Sequence, residues 1–305
     1  NANNYLVTYA PGTLTVNKAL ATISVTKPYD ASQTFTVGAS GTAFTVTGVN
    51  GQSLTLSAGG TATANSADVL SVSTLSTSGL TLSNGSGLAS NYMLPASTNS
   101  VTITPVVLTV TLAAQTKVYD STVNAVLGAT TVVSGSTVPT FSISGFVSGQ
   151  GASVSQTVGA YNTPCATACT LSGVSTAGAT TVSASLSSTN YIANTGTNLS
   201  NYSLPTSVTA TGTITKATLT MTAADQTIYI GGTPAASFTL TGLVGSDTAS
   251  TAISSPAVTA TSTALTNSSN LTHAGTYTNG LAPSAISANY QITPVNGVLT
   301  IADNM

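Results

Sequence analysis

Residues 201–229 read NYSLPTSVTATGTITKATLTMTAADQTIY, and the same plan occurs two more times in the chain. Residues 91–119 read NYMLPASTNSVTITPVVLTVTLAAQTKVY, and a shorter version at 4–29 reads NYLVTYAPGTLTVNKALATISVTKPY. Each copy begins with Asn-Tyr, alternates between polar and apolar residues, meets Lys or Pro, and alternates again until a Tyr. Because successive side chains of a strand point to opposite faces, each alternating stretch predicts a β-strand. We interpret each copy as a seam, in which the last strand of one module passes into the first strand of the next without a linker.

The seams divide the chain. They predict terminal strands of a preceding or shared module, followed by three complete modules, at 1–19, 20–105, 106–217 and 218–305. A Phe-x-aliphatic-x-Gly strand recurs once in each complete module, beginning at Phe44, Phe141 and Phe238. The middle module is the longest, and we place its insertion at about 162–200, where an added hairpin or protruding loop is expected.

The pattern of strands and turns predicts an all-β fold. Period-two stretches are frequent, whereas apolar residues at the i, i+3, i+4, i+7 spacing of a helix are not found. Short strands separated by Gly, Asn and Ser turns, in units of about 100 residues, are typical of immunoglobulin-like sandwiches. We therefore expect tandem immunoglobulin-like antiparallel β-sandwich modules in an elongated rod.

Composition excludes several classes of function. Only 3% of the residues are charged, against about 25% in ordinary soluble domains. Four lysines and a net charge of −2 cannot form the basic surface that nucleic acid requires. Polar residues interrupt every apolar run well before the roughly 18 residues of a membrane span. A surface with so little charge repulsion also favours contact between copies, so we expect self-association.

Catalytic and metal sites are not indicated. His273 is the single histidine, the six aspartates are dispersed, and no nucleophile-elbow sequence is present, so we expect no enzyme activity, no cofactor and no metal. Cys165 and Cys169 are the two cysteines and are a candidate disulfide across a short loop. A metal site there would need ligands that the neighbouring sequence does not supply.

The clearest short motif is Lys-x-Tyr-Asp. It occurs twice, with a related Tyr-x-Gly stretch in the third module, at Lys27, Tyr29, Asp30, at Lys117, Tyr119, Asp120, and at Tyr229. In the structural interpretation, Tyr packs at the end of a sandwich, Asp caps the turn through its own backbone, and Lys pairs weakly with a carboxylate. The alternative is a Lys–Asn isopeptide crosslink of the kind found in some bacterial surface fibres, which would need a buried aspartate beside the pair.

Two further features concern the seams. An Asn-Tyr pair precedes a strand at Asn4-Tyr5, Asn91-Tyr92, Asn201-Tyr202 and Asn289-Tyr290. Its recurrence favours a structural role, with a buried ring and a hydroxyl aimed at a backbone group, over carbohydrate stacking.

In the terminal strands at 1–19, Tyr5, Val7, Leu14 and Val16 are candidates for strand donation to a neighbouring module or subunit, because an isolated hairpin is marginal in water.

Together the Lys-x-Tyr-Asp element, the Phe-x-aliphatic-x-Gly strand, a Gly-x-Tyr element and the Asn-Tyr closing hairpin resemble MBG and YDG repeat modules. These occur in tandem in large secreted proteins of Gram-negative bacteria, including filamentous-haemagglutinin-like adhesins. By this resemblance, 20–105 and 106–217 are YDG-like and 218–305 is MBG-like. Ala31 and Ser121 stand where the Gly of YDG would be, which questions the geometry of the turn.

The resemblance implies an extracellular location on the bacterial surface and a stalk, adhesin or fibre role without catalytic residues. We expect a structural repeat segment of a fibre or filamentous adhesin, self-associating through strands and neutral Thr/Ser-rich surfaces, with other cells or surfaces as possible partners. The alternative is a non-polymerising stalk of a monomeric adhesin whose binding domain lies outside this chain.

Overall fold

The structure is a computed structural model that describes residues 4–171, 174–176, 178–261 and 273–303, without the side chains of 169–171 and 174–176. The chain forms two compact units, each assembled from separate stretches. The first unit comprises Asn1–Thr109, Ser144–Ala152 and Ala193–Leu204, and the second comprises Val110–Ile143, Ser153–Ile192 and Pro205–Met305. Both units cut across the middle module of the predicted division, and that division stays a prediction.

The first module is built from short strands with alternating burial. Its strands are β1 (Ala19–Leu20), β2 (Thr22–Pro28), β3 (Thr34–Thr36), β4 (Ala43–Thr47), β5 (Ser53–Leu56), β6 (Thr61–Ala64), β7 (Leu75–Ser76), β8 (Leu82–Ser83), β9 (Tyr92–Met93), β10 (Ser97–Thr98) and β11 (Val101–Thr104). They form a five-stranded sheet, β11-β2-β4-β5-β8, a four-stranded sheet, β10-β7-β6-β3, and the pair β1-β9. Both sheets bury apolar side chains, such as Ile23 of β2 and Phe35 of β3, which is the arrangement of a two-layer sandwich.

The middle module has one larger sheet and several two-stranded ones. Its strands are β12 (Val106–Val107), β13 (Thr109–Leu112), β14 (Gln115–Val118), β15 (Asn124–Val126), β16 (Thr130–Val133), β17 (Ser136–Pro139), β18 (Phe141–Ser144), β19 (Ala152–Val154), β20 (Val158–Tyr161), β21 (Cys169–Leu171), β22 (Val174–Thr176), β23 (Thr181–Ser185), β24 (Tyr191–Ala193), β25 (Tyr202–Ser203) and β26 (Ser207–Thr215). The larger sheet has the order β14-β26-β23-β20-β15. The stretch 162–200, where the insertion is predicted, contains the antiparallel hairpin β21-β22 and strand β23, which pairs with β26.

The third module lies wholly in the second unit. Its strands are β27 (Ala217–Ala223), β28 (Gln226–Tyr229), β29 (Phe238–Thr241), β30 (Ser254–Ala260), β31 (Gly275–Ile286), β32 (Tyr290–Val295) and β33 (Gly297–Ala302). They form the sheets β29-β27-β32 and β28-β33-β31-β30. The core between them contains buried apolar residues from four strands, including Leu281, Leu299 and Ile301. A one-turn helix, α1 (Ala249–Ala252), precedes β30; the sequence pattern did not indicate it, because four residues are too few to show a helical period.

The all-β prediction is confirmed, and most strand pairs are antiparallel. Each module also contains a parallel pair between an early strand and the last strand, which alternation alone did not reveal. These pairs are β2 with β11, β14 with β26, and β28 with β33. A parallel pair needs a long crossover connection, and here the whole module supplies it. We call β11, β26 and β33 the closing strands.

The seams are short in the structure. Only Pro105 separates β11 from β12, and only Lys216 separates β26 from β27. Residues 4–18, in contrast, contain no β-strand, and Tyr5, Val7, Leu14 and Val16 are all exposed. Strand donation by this segment stays a prediction. The closing strands already occupy their places in the three modules, so a recipient would have to lack its own closing strand.

Candidate functional site: the tyrosine joints

The Lys-x-Tyr-Asp turn of the first module is held together by a buried lysine. Lys27 is only 3% exposed, and its Nζ donates to Oδ1 of Asp30 at 2.6 Å and to the carbonyl oxygens of Ser32 at 2.8 Å and Thr34 at 2.9 Å. Its ammonium also lies 4.6 Å from the centroid of the Phe35 ring. The lysine therefore uses its three donors on one turn, a much tighter arrangement than the weak surface pair expected from the motif.

The middle module repeats this arrangement. Lys117 Nζ donates to Oδ1 of Asp120 at 2.6 Å and to the carbonyl oxygens of Thr122 and Asn124 at 2.8 and 2.9 Å, and it lies 5.3 Å from the centroid of the Tyr161 ring. Burial opposes ionisation of Asp120, but the hydrogen bonds from Lys117 and Thr122 outweigh it, so the pKa of this carboxyl lies below its ordinary value.

In each turn, one residue other than glycine adopts a backbone conformation that glycine favours. Ala31 has a φ of +63° and Ser121 a φ of +64°, in the left-handed region that disfavours residues with a Cβ. Ala31 and Ser121 therefore carry local strain that a Gly at the same positions would not.

The tyrosine of the first turn belongs to a cluster in the first unit. Tyr29 is 6% exposed, and its ring meets that of Tyr202 edge to face, with centroids 5.5 Å apart. Gln150 bridges the two hydroxyls: its Nε2 donates to Tyr29 at 2.8 Å, and its Oε1 accepts from Tyr202 at 2.5 Å. The backbone N–H of Val147 donates to the Tyr202 hydroxyl at 3.2 Å, and the Phe146 ring also packs edge to face on Tyr202.

The asparagine that precedes Tyr202 makes a second contact. Asn201 is fully buried; its Nδ2 donates to Oδ1 of Asp68 at 2.6 Å, and its Oδ1 accepts from the backbone N–H of Val69 at 2.8 Å. The Asn-Tyr pair of one module thus contacts the preceding module twice, through the tyrosine and through the asparagine.

The second unit contains the same cluster with a carboxylate as the bridge. Tyr119 is 7% exposed, and its ring meets that of Tyr290 edge to face at 5.4 Å. Oδ2 of Asp247 accepts from Tyr119 at 3.0 Å and from Tyr290 at 2.6 Å, and the backbone N–H of Val244 donates to the Tyr290 hydroxyl at 3.0 Å. Oδ1 of Asn289 accepts from the backbone N–H of Ala166 at 2.8 Å, which matches the role of asparagine in the first cluster.

The carboxylate changes the acidity of both tyrosines. Burial, together with the hydrogen bond to Asp247, raises the pKa of Tyr290 to about 12 and raises the pKa of Tyr119 well above its ordinary value. A tyrosinate beside a carboxylate would be repelled, so this cluster requires protonated tyrosines.

We call each cluster a tyrosine joint. A joint consists of a turn tyrosine, a bridging Gln or Asp, and the tyrosine of the Asn-Tyr pair in the next module. The bridging residues follow the Phe-x-aliphatic-x-Gly strand at Gln52, Gln150 and Asp247, five residues after Gly145 and Gly242 and four after Gly48. In the first module Tyr92 donates to Oε1 of Gln52 at 2.5 Å, which reproduces one half of the joint.

Sequence reasoning located both tyrosines of each joint but not the residue that bridges them. The signal was a polar residue four or five positions after the recurring Gly. It is weak because Gln and Asp both offer an acceptor oxygen but differ in charge and size. The pairing of tyrosines from neighbouring modules was also missed, because no local pattern encodes a contact between residues so distant in sequence.

In the third module, the position of the turn tyrosine is taken by the residue after Tyr229. Lys27, Lys117 and Ile228 each pair with a closing-strand isoleucine that is 2% exposed, namely Ile103, Ile214 and Ile301. The next turn residues, Tyr29, Tyr119 and Ile230, each donate their backbone N–H to the residue after that isoleucine. Ile230 therefore occupies the place of the turn tyrosine, and Tyr229, which is 65% exposed, lies on the opposite face of β28.

Two family models match the chain. Residues 2–100 match the YDG domain, and residues 219–300 match the MBG domain (YGX type). We call these matched stretches the YDG segment and the MBG segment. The resemblance predicted from the motifs is confirmed for both, and the YDG-like character of 106–217 stays a prediction. Neither a curated protein nor a solved structure matches the chain.

The joint between the middle module and the MBG segment borders a cleft of about 620 Å³, lined by Tyr119, Cys165, Asp247 and Asn289 among others. Cys165 is buried and disulfide-bonded; its expected partner, Cys169, begins β21, and the Cys169 side chain lies outside the described residues. The Asp247 carboxylate in this cleft already accepts hydrogen bonds from two tyrosines. The rest of the lining combines Ser and Thr hydroxyls with apolar side chains such as Ile253 and Ile286.

The described residues contain no group of three or more His, Cys or Asp side chains placed to hold a metal ion. Among the helices that the structure describes, none is both apolar enough and long enough to cross a membrane.

Proposed function

We propose that the chain is a structural repeat segment of an extracellular bacterial fibre or filamentous adhesin, acting as a mechanical tether without a catalytic group or cofactor. The observation that carries the proposal is the recurring tyrosine joint. The first joint couples the YDG segment to the middle module, and the second couples the middle module to the MBG segment. Both use an edge-to-face pair of tyrosines, with Gln150 as the bridge in the first and Asp247 in the second.

The joints suit this role because they restrict movement where a flexible linker would otherwise act. Each joint adds an aromatic pair, a bridging side chain and an asparagine to a seam of one residue, and the asparagine is buried in the first joint and partly buried in the second. A protein whose function is to hold a span needs stiffness between its modules more than it needs an exposed polar cleft. The matches to YDG and MBG domains support a repeat module of an adhesin-like protein.

Self-association is the second part of the proposal. A surface with 3% charged residues has little repulsion between copies, and the exposed apolar side chains of Tyr5, Leu6, Tyr9, Leu14 and Val16 lie together in one segment. Exposed apolar segments of this kind are typical of contact surfaces.

Immunogold electron microscopy of the producing bacterium, with antibodies against the whole chain, tests the proposal. We expect label along filaments outside the cell. Label confined to the cell interior would contradict an extracellular role. Extracellular label without filaments, together with a purified chain that stays monomeric at high concentration, would favour the non-polymerising stalk instead.

A further inference from the structure

The first module carries half of a joint whose other half is not found among the described residues. We propose that Gln52, Tyr92 and Asn91 form a socket for the turn tyrosine of a further Lys-x-Tyr-Asp module joined ahead of residue 20. We call these three residues the open socket. The inference rests on the proposed function, since it names the contact by which a longer array of repeats would continue.

The bridging residue of the open socket has an unused donor. Gln150 donates from Nε2 to Tyr29 while its Oε1 accepts from Tyr202. Gln52 accepts from Tyr92 in the same way, but its Nε2 has no acceptor among the described residues. The Gln52 side chain therefore presents an amide N–H where a filled joint places a tyrosine hydroxyl.

Burial separates the open socket from the filled ones. Gln150 and Asp247 are partly buried, whereas Gln52 is exposed. Asn201 is fully buried in its joint, whereas Asn91, at the corresponding position beside Tyr92, is exposed. Both Gln52 and Asn91 are thus more exposed than their counterparts, as expected of a socket that no turn of another module covers.

The residues ahead of the first module identify the occupant. Residues 4–16 repeat the Asn-Tyr and closing-strand pattern that ends a module. In that pattern Tyr5 corresponds to Tyr92 and Leu14 to Ile214, which are 4% and 2% exposed, whereas Tyr5 and Leu14 are 78% and 87% exposed. The segment thus has the sequence of a module end but not the burial that a module end has elsewhere in the chain.

The occupant must supply a turn tyrosine, and the third module of a second copy does not. Ile230 stands in the turn position of the MBG segment, and its aliphatic side chain cannot accept a hydrogen bond from Gln52. A Lys-x-Tyr-Asp turn, as at Tyr29 and Tyr119, places a hydroxyl there. The socket is therefore specific for modules of that kind.

An extended chain in which residues 1–105 are followed directly by 19–305 tests the inference, because Ala19 pairs with Tyr92 as Val106 pairs with Tyr202. It places the outer copy of Tyr29 ahead of the inner copy of Gln52 and keeps every natural residue of the full chain. Two measurements apply: the side-chain amide signal of the inner Gln52 by NMR, and a double-mutant cycle between outer Tyr29→Ala and inner Gln52→Ala in chemical denaturation. Should outer Tyr29→Ala fail to fold, outer Tyr29→Phe replaces it, since it removes only the hydroxyl.

We expect the inner Gln52 amide to shift and to become protected from exchange in the extended chain, and to revert with outer Tyr29→Phe. In the cycle, the effect of the double variant on the unfolding equilibrium constant should differ from the product of the two single effects by about threefold or more. A matched cycle with inner Gln33→Ala, an exposed glutamine of the same module, should be additive. An unshifted amide signal, or additive free energies in the Gln52 cycle, would overturn the inference. Neither result would affect the proposed extracellular role, which immunogold microscopy tests separately.

Discussion

Tyr119 and Tyr290 meet edge to face with ring centroids 5.4 Å apart, and both hydroxyls donate to the same oxygen of Asp247. Tyr29 and Tyr202 repeat this relationship around Gln150. One physical arrangement thus recurs with two bridging residues, a neutral amide and a carboxylate. The difference between the bridges makes the joints separable by mutation and by pH.

Asp247→Ala should destabilise the second unit by about 1–3 kcal/mol, because two largely buried hydroxyls lose their acceptor. Asp247→Gln should recover much of this loss, since Gln150 performs the same role in the first unit. Chemical denaturation of the whole chain measures both. Asp303→Ala, at an exposed aspartate, is the control and should stay within about 0.5 kcal/mol of the unmodified chain. If Asp247→Ala were as stable as the control, Asp247 would not stabilise the joint.

The second joint should weaken at high pH. The pKa of Tyr290 is raised to about 12, while an unfolded tyrosine titrates near pH 10. Between these values the folded state holds a proton that the unfolded state has lost, so the stability contribution is complete below about pH 10 and is lost as the pH rises towards 12. The difference in tyrosinate absorbance between the unmodified chain and Tyr290→Phe gives the pKa directly. An ordinary value near 10 would contradict the buried hydrogen bond.

Ala31→Gly should stabilise the first module by about 0.5–1 kcal/mol. At a φ of +63° alanine carries strain that glycine does not, and relief of that strain exceeds the entropy that glycine loses on folding. Ser121→Gly should act in the same direction in the middle module. Ala58→Gly is the matched control, because Ala58 is exposed in a turn without a positive φ; it should lose up to about 1 kcal/mol. A loss at Ala31 equal to that at Ala58 would show that the turn is unstrained.

Lys27→Ala should cost about 1–3 kcal/mol, since the carbonyl oxygens of Ser32 and Thr34 and the Asp30 carboxylate lose their shared donor. Lys18→Ala, at an exposed lysine, should be neutral. In the middle module the lowered pKa of Asp120 means that its contribution is present above the ordinary aspartate pKa of about 4 and is lost as the pH falls through the lowered value. Thermal unfolding at neutral and acidic pH measures both effects. A Lys27→Ala chain as stable as the Lys18→Ala chain would leave the turn without the role assigned to its lysine.

Much of the fold could be predicted from the sequence, because alternation and turn residues are local signals. The all-β class and the short seams at Pro105 and Lys216 follow directly from them. The parallel pairing of each closing strand could not, since it depends on which edge of a sheet is free. Likewise, the sequence pattern matches Tyr229 to Tyr29. The strand register and the backbone hydrogen bond of Ile230 instead place Ile230 at the position of Tyr29. A shift of one residue reverses the face of a strand, and only the register reveals it.

The joints could be predicted only in part. The tyrosines recur at fixed spacing, so their importance was evident, and the expected aim of a hydroxyl at a backbone group matches the bond from Val147 to Tyr202 and from Val244 to Tyr290. The identity of the bridge was hidden, because Gln and Asp vary between modules. What the sequence could not provide was the long-range contact that brings Tyr29 to Tyr202.

A double-mutant cycle between Tyr29→Ala and Tyr202→Ala tests most directly whether the turn tyrosine of one module stabilises the next. The unmodified chain, both single variants and the double variant are compared in chemical denaturation. We predict a coupling free energy of about 0.5–1.5 kcal/mol, the range of edge-to-face aromatic pairs. Additivity within about 0.3 kcal/mol would show that the two rings do not stabilise each other, and would contradict the joint.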